Sequence, residues 1–429
     1  MTGLSRKEVV PLLGKRISVH VAASLAVLLA CLMLAFPAEA FQASLKGLSI
    51  WWDVLFPALF PFFVIAEIML GLGIVHFFGM LLDPMMRPVF RIPGIGGFVM
   101  AMGFASGYPI GARLTSQLWT QRLVNREEGE RLVAFTTSSD PIFLIGAVAV
   151  GFFHDAALAG VLAAAHYGSA LLIGLLMRFH GRPEKHTNEY RQPAFTSLLE
   201  ASPGQPLWRR AFEAMHHARM NDGRTLGAML QQALASGLQM IFVIGGLVVF
   251  FSVVMEVMAS AKVMSLFYAA IESALGIFRL PLPLAEAVAS GFFEVTLGAK
   301  AAGAAAGVPL VYQAAIAAWV LSWGGLSVHA QIISLLHHTN LRYTPFVAAR
   351  FVHGLLAAGL VMVLWQPLAP YHAALAAFFP KPDMTRPLET LAQHTLPAAG
   401  LTFAAVLGAS LLLSLCFLIG KRCMKRIRS

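Results

Sequence analysis

The chain has 429 residues, 58% of them hydrophobic and 12% charged, with a formal charge of +10 and a mean hydropathy of +0.72. Soluble domains carry about 25% charged residues, so the composition excludes a soluble enzyme or binding module and specifies an integral membrane protein. The cations gather at the ends of apolar runs, which sets nucleic acid aside as a partner and makes them determinants of topology.

Arg6, Lys7, Lys15 and Arg16 precede an apolar run from Ile17 to Phe36, and Ala38-Glu39-Ala40 resembles a small-x-small cleavage site. The run exceeds the apolar core of a secretory signal, about 7–15 residues, which favours an uncleaved first span. Further runs lie at 55–80, 133–153, 157–179, 226–257, 309–336, 343–366 and 397–420. Each approaches or exceeds the length needed to cross the bilayer. An all-α polytopic membrane protein of about eight spans is predicted. Cys31 and Cys416 lie inside apolar runs and read as packing residues, and with Cys423 they form no Cys-x-x-Cys. His337-His338 marks the water-facing end of a run, and His154-Asp155 reads as an exposed loop tip. The segment Arg126-Glu127-Glu128-Gly-Glu130-Arg131 reads as an amphipathic surface stretch.

One pattern occurs twice. Phe90-Arg-Ile-Pro leads through Gly103-Phe-Ala-Ser-Gly-Tyr-Pro to Gly111-Ala-Arg113; Phe278-Arg-Leu-Pro leads through Gly291-Phe-Phe-Glu-Val-Thr to Gly298-Ala-Lys300. Each apolar leg, about 11–14 residues at ~1.5 Å per residue, is too short for a ~30 Å hydrocarbon core. Residues 94–112 and 283–300 are therefore expected as re-entrant hairpins. Such broken backbone persists at membrane depth only where protein buries it or it lines a watery cavity. Phe62-Phe-Val-Ile-Ala66 and Ile241-Phe-Val-Ile-Gly245 echo each other ahead of the hairpins; Ala134-Phe-Thr-Thr-Ser138 and Ala318-Trp-Val-Leu-Ser322 do so after them.

Lys and Arg set the orientation. They are dense before residue 17, between Arg178 and Arg224 and after Lys421, and sparse in 37–54, 258–282 and 367–396. Both termini and the 180–225 loop are thus expected in the cytoplasm. The first hairpin, flanked by Arg87, Arg91, Arg113 and Arg122, enters from the cytoplasm and the second from outside, giving an inverted repeat. The expected division is 1–54, an N-terminal span and external linker; 55–179, the first repeat; 180–225, a cytoplasmic loop; 226–366, the second repeat; and 367–429, an external loop, last span and basic tail.

Four polar interruptions are expected to meet near the midplane. At Ser106-Gly107-Tyr108-Pro109 the turn itself or a ligand accounts for the polarity. Ser138-Ser139-Asp140-Pro141 interrupts a span, because Pro141 disfavours helix at Asp140. Ser139 or Asp140 either caps the restarting helix or, with freed carbonyls, holds Na⁺ or H⁺. Glu294, beside Thr296, is a functional candidate as an intramembrane acid, unless Lys300 neutralises it. In Ser322-Trp323-Gly324-Gly325, Trp323 serves packing or offers a face to a planar ligand. Glu67, alone in its apolar run, is either a coupling acid or a buried neutral one. No nucleophile–base pair, metal motif or P-loop stands out, so neither an enzyme nor a cofactor is expected.

Pro61-Phe-Phe-Val-Ile-Ala-Glu67, Asp83-Pro-Met-Met-Arg-Pro88, Pro93-Gly-Ile-Gly-Gly97, Ser106-Gly-Tyr-Pro109 and Ser138-Ser-Asp-Pro141 resemble the YlbJ family of sporulation integral membrane proteins. That resemblance implies the nucleoside-recognition "Gate" domain shared with concentrative nucleoside transporters and the iron transporter FeoB. It also implies a role in making the spore cortex from the outer forespore membrane. The family pattern has Asn where this chain has Asp140. The first tip lacks the Gln and Glu side chains that would bond a base and ribose, and no cysteine pair suits Fe²⁺. The expectation is a secondary transporter or permease of a small polar solute, its partners being the bilayer, that solute and other copies or sporulation membrane proteins. The alternative is a non-transporting scaffold for cortex-building proteins.

Overall fold

The computed structural model describes residues 23–181 and 206–369, with residue 20 and five positions between 408 and 416. Every regular element among them is helical. In chain order they are α1 (Ala23–Ala35), α2 (Pro37–Ser49), α3 (Phe56–Gly71), α4 (Ile74–Phe90), α5 (Ile95–Ser106), α6 (Tyr108–Thr120), α7 (Arg126–Thr136), the wide-turned α8 (Ile142–Phe152) and α9 (Leu158–Met177). After the undescribed stretch come α10 (Leu207–Asp222), α11 (Leu226–Ser260), α12 (Val263–Ile277), α13 (Ala285–Phe293), α14 (Val295–Ala304), α15 (Leu310–Trp323), α16 (Gly325–Leu336) and α17 (Tyr343–Leu368). The chain is a polytopic membrane protein. Among the described residues four stretches are long and apolar enough to cross a bilayer, namely α9, α11, α15 with α16, and α17; counting two bent pairs raises this to six.

Several expected runs are not single spans. The 55–80 run turns by 81° between α3 and α4, because Gly73 adopts φ 77 there, whereas the helix of the 17–36 run ends within its bounds, at a 103° bend into α2 after Ala35. Hydropathy alone does not register a bend that leaves both arms apolar. The 133–153 run is divided between α7 and α8. Most of 397–420, of the 182–205 loop and of the tail lies outside the described residues.

From α3 and from α11 the elements follow one order: a first helix, a lead helix, a hairpin, a broken helix and a closing helix. The joints match as well. Gly73 (φ 77) and Lys262 (φ 59) start the two lead helices left-handed, and Arg91 and Arg279, both at φ 54, end them. A left-handed conformation is costly for residues other than glycine, so its recurrence at Phe-Arg-Ile-Pro and Phe-Arg-Leu-Pro is a specific feature.

The hairpins enter from opposite ends of the first broken helix. Arg131, midway along α7, donates to the Arg91 carbonyl at the entry to the first hairpin (2.7 Å), and Ser116 on that hairpin's exit leg meets His338 just past α16 (2.9 Å). At the far end of α8, a Cβ on Gly303 of the second hairpin would come within 2.7 Å of the Phe152 carbonyl. The core follows these contacts: Phe98, Phe104, Leu132 and Phe135 pack around the first hairpin, and Ala299, Ala302, Leu321 and Phe346 around the second.

Two further expectations need correction. Arg126–Arg131 is not a surface stretch: Glu127, Glu128, Glu130 and Arg131 are buried. Asn125 and Glu128 form a reciprocal cap on α7, while Glu130 binds His180 (2.6 Å) and Arg342 (2.8 Å). Burial works against the Glu130 charge, but the hydrogen bonds from Arg342 and His180 outweigh it and hold the carboxyl below its ordinary range. Cys31 and Cys416, expected as packing residues, are exposed; lipid is as apolar as a protein core, so an apolar neighbourhood does not tell which way a side chain faces.

Candidate functional site

The first hairpin turns on Gly107, whose φ of 88 suits glycine. A Cβ there would come within 2.9 Å of Asp140 Oδ2, so the tip lies against the first helix break. Gly103 and Gly111, one on each leg, approach the carbonyl of Thr136, where built Cβ atoms would stand 2.4 and 2.6 Å away. The hairpin thus grips the last helical carbonyl before the break. Tyr108 carries the contact on to the second break by donating to the Leu321 carbonyl (2.7 Å). Ser106 is buried, and its hydroxyl has no hydrogen-bond partner among the described residues.

Residues 137–140 form the first break. Its backbone acceptors are largely taken up: Arg350 donates to the Thr137 carbonyl and Tyr167 to that of Ser139 (3.0 Å). Asp140 Oδ1 accepts from the Phe143 amide (2.8 Å), capping α8. Those contacts answer the demand that buried backbone groups be paired and leave fewer carbonyls to hold a cation than the sequence alone suggested.

At the second break Gly324 and Gly325 are both left-handed (φ 86 and 71). A Cβ on Gly325 would meet the Phe293 carbonyl at 2.9 Å and Glu294 Cα at 3.0 Å, so the second tip lies on this break. Trp323 donates to the Phe292 carbonyl (3.1 Å) and stacks on its ring, with centroids 5.6 Å apart, in a packing role. Glu294 is buried and caps α14 through the Leu297 amide (2.8 Å). Lys300 is exposed, and among the described residues no cation pairs with Glu294. Thr296 is half-buried on the first turn of α14. Asp140 and Glu294 both lie within electrostatic reach of Tyr108.

His166, which the sequence reading passed over, joins the two breaks. Its Nε2 accepts from the Ser139 amide (3.0 Å) and meets Ser138 Oγ (2.7 Å), while Nδ1 reaches Ser322 Oγ (2.8 Å). A backbone amide can only donate, so Nε2 is the acceptor and the ring proton sits on Nδ1, directed at Ser322. His353 continues the network. Its Nδ1 accepts from Arg350 Nη1 (2.8 Å) and its Nε2 donates to the His166 carbonyl (3.0 Å), the two rings lying 5.2 Å apart. Ser138, Ser139, Ser322, His166, His353 and Arg350 are all buried.

A signal for these residues was present. His166 and His353 occupy similar places in the two closing helices, and Arg350 is a cation inside an apolar run, which by itself marks a functional candidate. Glu67 stands apart from the cluster. It accepts from Arg113 (3.1 Å) and Gln117 (2.9 Å) on the first hairpin's exit leg and so is not alone.

The family described as nucleoside recognition (Gate) matches residues 53–154, which spans α3, the first hairpin and the first break. No solved structure matches the chain. Over 354 residues it is 42% identical to the sporulation integral membrane protein YlbJ of Bacillus subtilis (strain 168), covering 82% of this chain and 84% of that protein. The chain belongs to the YlbJ family of sporulation integral membrane proteins.

Proposed function

We propose that the chain is a secondary transporter or permease of a small polar solute, working by alternating access in the membrane of a sporulating cell and needed for the spore cortex. The observation that carries this reading is the convergence of two hairpin tips and two helix breaks on one buried polar cluster. Interrupted helices in corresponding places of two halves are the architecture in which transporters bind solute. The sporulation role rests on the relative's description. The cation pattern supports cytoplasmic termini; the family resemblance suggests the outer forespore membrane as the site of action, and the first helix break with Asp140 suggests Na⁺ or H⁺ as the coupling ion. Ser138 Oγ meets His166 Nε2 (2.7 Å), but that nitrogen is already held by the Ser139 amide (3.0 Å) as a structural acceptor, and we read the chain as a non-enzyme.

The test replaces Ser138, Ser139 and Asp140 together by alanine. Transport predicts loss of solute flux in proteoliposomes and of cortex in cells, with protein abundance and partner association near normal. Normal cortex in this variant, with failure on deleting residues 182–205, would favour a scaffold instead.

A further inference from the structure

Arg350 makes fewer bonds than a buried arginine requires. Its side chain is fully buried, at 0% exposure, on α17. Nη1 is engaged by the Thr137 carbonyl in the first break and by His353 Nδ1. Nε and Nη2 have no hydrogen-bond partner among the described residues, and no carboxylate there pairs with the guanidinium. Its charge reaches Tyr108, His166, His329 and His353, none of them anionic. A buried charge without a counter-charge is strongly disfavoured, and in a membrane such a residue marks a ligand or ion pathway.

The geometry of the two remaining donors narrows the ligand. Nε–H and Nη2–H form one straight edge of the planar guanidinium, the edge that matches two oxygens of a carboxylate or phosphate. We propose that Arg350 receives an oxyanion: the solute carries a carboxylate or phosphate that docks bidentately on the Nε–Nη2 edge, beside the first helix break. This deepens the transporter reading and rests on it only for the word solute. The surrounding donor set supports an anion over a metal. The nearby imidazoles already spend their acceptor nitrogens on Ser139 and Arg350, and among the described residues no three His, Cys, Asp or Glu side chains are placed to hold a metal ion.

The test is calorimetric titration of the full chain in lipid nanodiscs at constant ionic strength. Inorganic phosphate and acetate are added separately, with uridine as a neutral comparison. Saturable binding of phosphate or acetate to the unaltered protein is expected, and which of the two binds identifies the group. Arg350→Lys keeps the charge but loses the fork, so binding should weaken roughly 10–100-fold; Arg350→Gln should abolish it. If Arg350→Gln does not reach the membrane, the lysine variant carries the comparison alone. Equal affinity in the unaltered protein and Arg350→Lys, binding of uridine alone, or no binding of either anion would each overturn the proposal. Flux assays on the same preparations keep the two readings apart. Anion binding without flux leaves the Arg350 site standing and removes the transporter, whereas flux of a neutral solute alone does the reverse.

Discussion

At the scale of single residues, Glu294 is both a helix cap and a buried acid, and two substitutions separate the roles. Glu294→Gln retains an oxygen that can accept from the Leu297 amide, whereas Glu294→Ala loses the cap as well, at a cost of about 1 kcal/mol. If the charge matters, both variants insert normally and lose flux; melting curves then show the alanine variant alone destabilised. Flux preserved in the glutamine variant would reduce Glu294 to a cap. Because Lys300 is exposed and unpaired with Glu294, adding Lys300→Met should not restore activity.

Glu130 gives a pH dependence with a definite sign. Its folded-state carboxyl is held below its ordinary range chiefly by hydrogen bonds from Arg342 and His180, against the opposing effect of burial. A carboxyl whose folded pKa is depressed contributes stability that is fully present above its unfolded value, about 4.3, and is lost as pH falls through the folded value. Glu130→Gln should therefore lower the melting temperature by a few degrees at pH 7, and the difference from the unaltered protein should shrink below about pH 4. A difference that persists unchanged in acid would mean that packing, not charge, holds this joint.

At the scale of elements, the chain breaks were legible because a membrane demands a minimum length and the hairpin legs fall short of it. Gly107, Glu294, residues 137–140 and Gly324 are where the interruptions occur. The hub was not legible in the same way. His166 and Arg350 lie inside runs 157–179 and 343–366, whose apolar length already accounts for them as spans, and nothing local marks either as reaching the breaks. Burial of Arg126–Arg131 depends on His180 and Arg342, which lie 50 and 212 positions from Glu130, beyond the reach of any local pattern. The bend after α3 leaves no trace in hydropathy because both of its arms are apolar.

The grip of the first hairpin on Thr136 is an element-scale contact that a methyl group can test. Gly111→Ala puts a Cβ 2.6 Å from the Thr136 carbonyl, a fixed backbone atom, and should destabilise by about 1–3 kcal/mol. Flux should fall with it, since the break is displaced from the tip. Gly246→Ala on α11 meets nothing within 4 Å and should be close to neutral. Equal melting temperatures for the two variants would show that the legs and the break are not in contact.

At the scale of the whole molecule, the hairpins' entry from opposite ends makes a prediction about sidedness. Asn340, in the turn between α16 and α17, belongs to the end that holds the Glu130 joint; Ala306, just past α14, belongs to the other. In a version with its three cysteines replaced, a cysteine at Asn340 should be shielded from an impermeant external reagent and one at Ala306 labelled. Labelling of both from outside would place the two hairpin entrances on one side and remove the basis for alternating access.

His166 also ties its own charge state to the joint between the two breaks. Nε2 faces the amide hydrogen of Ser139 at 3.0 Å, and Nδ1 already holds the ring's proton toward Ser322. A second proton would set one N–H against another, so the ring cannot be charged while both ties are made. Charging the imidazole and keeping the two breaks joined are mutually exclusive: a proton taken up by this ring would set Nε2–H against the Ser139 amide and part the first break from the second.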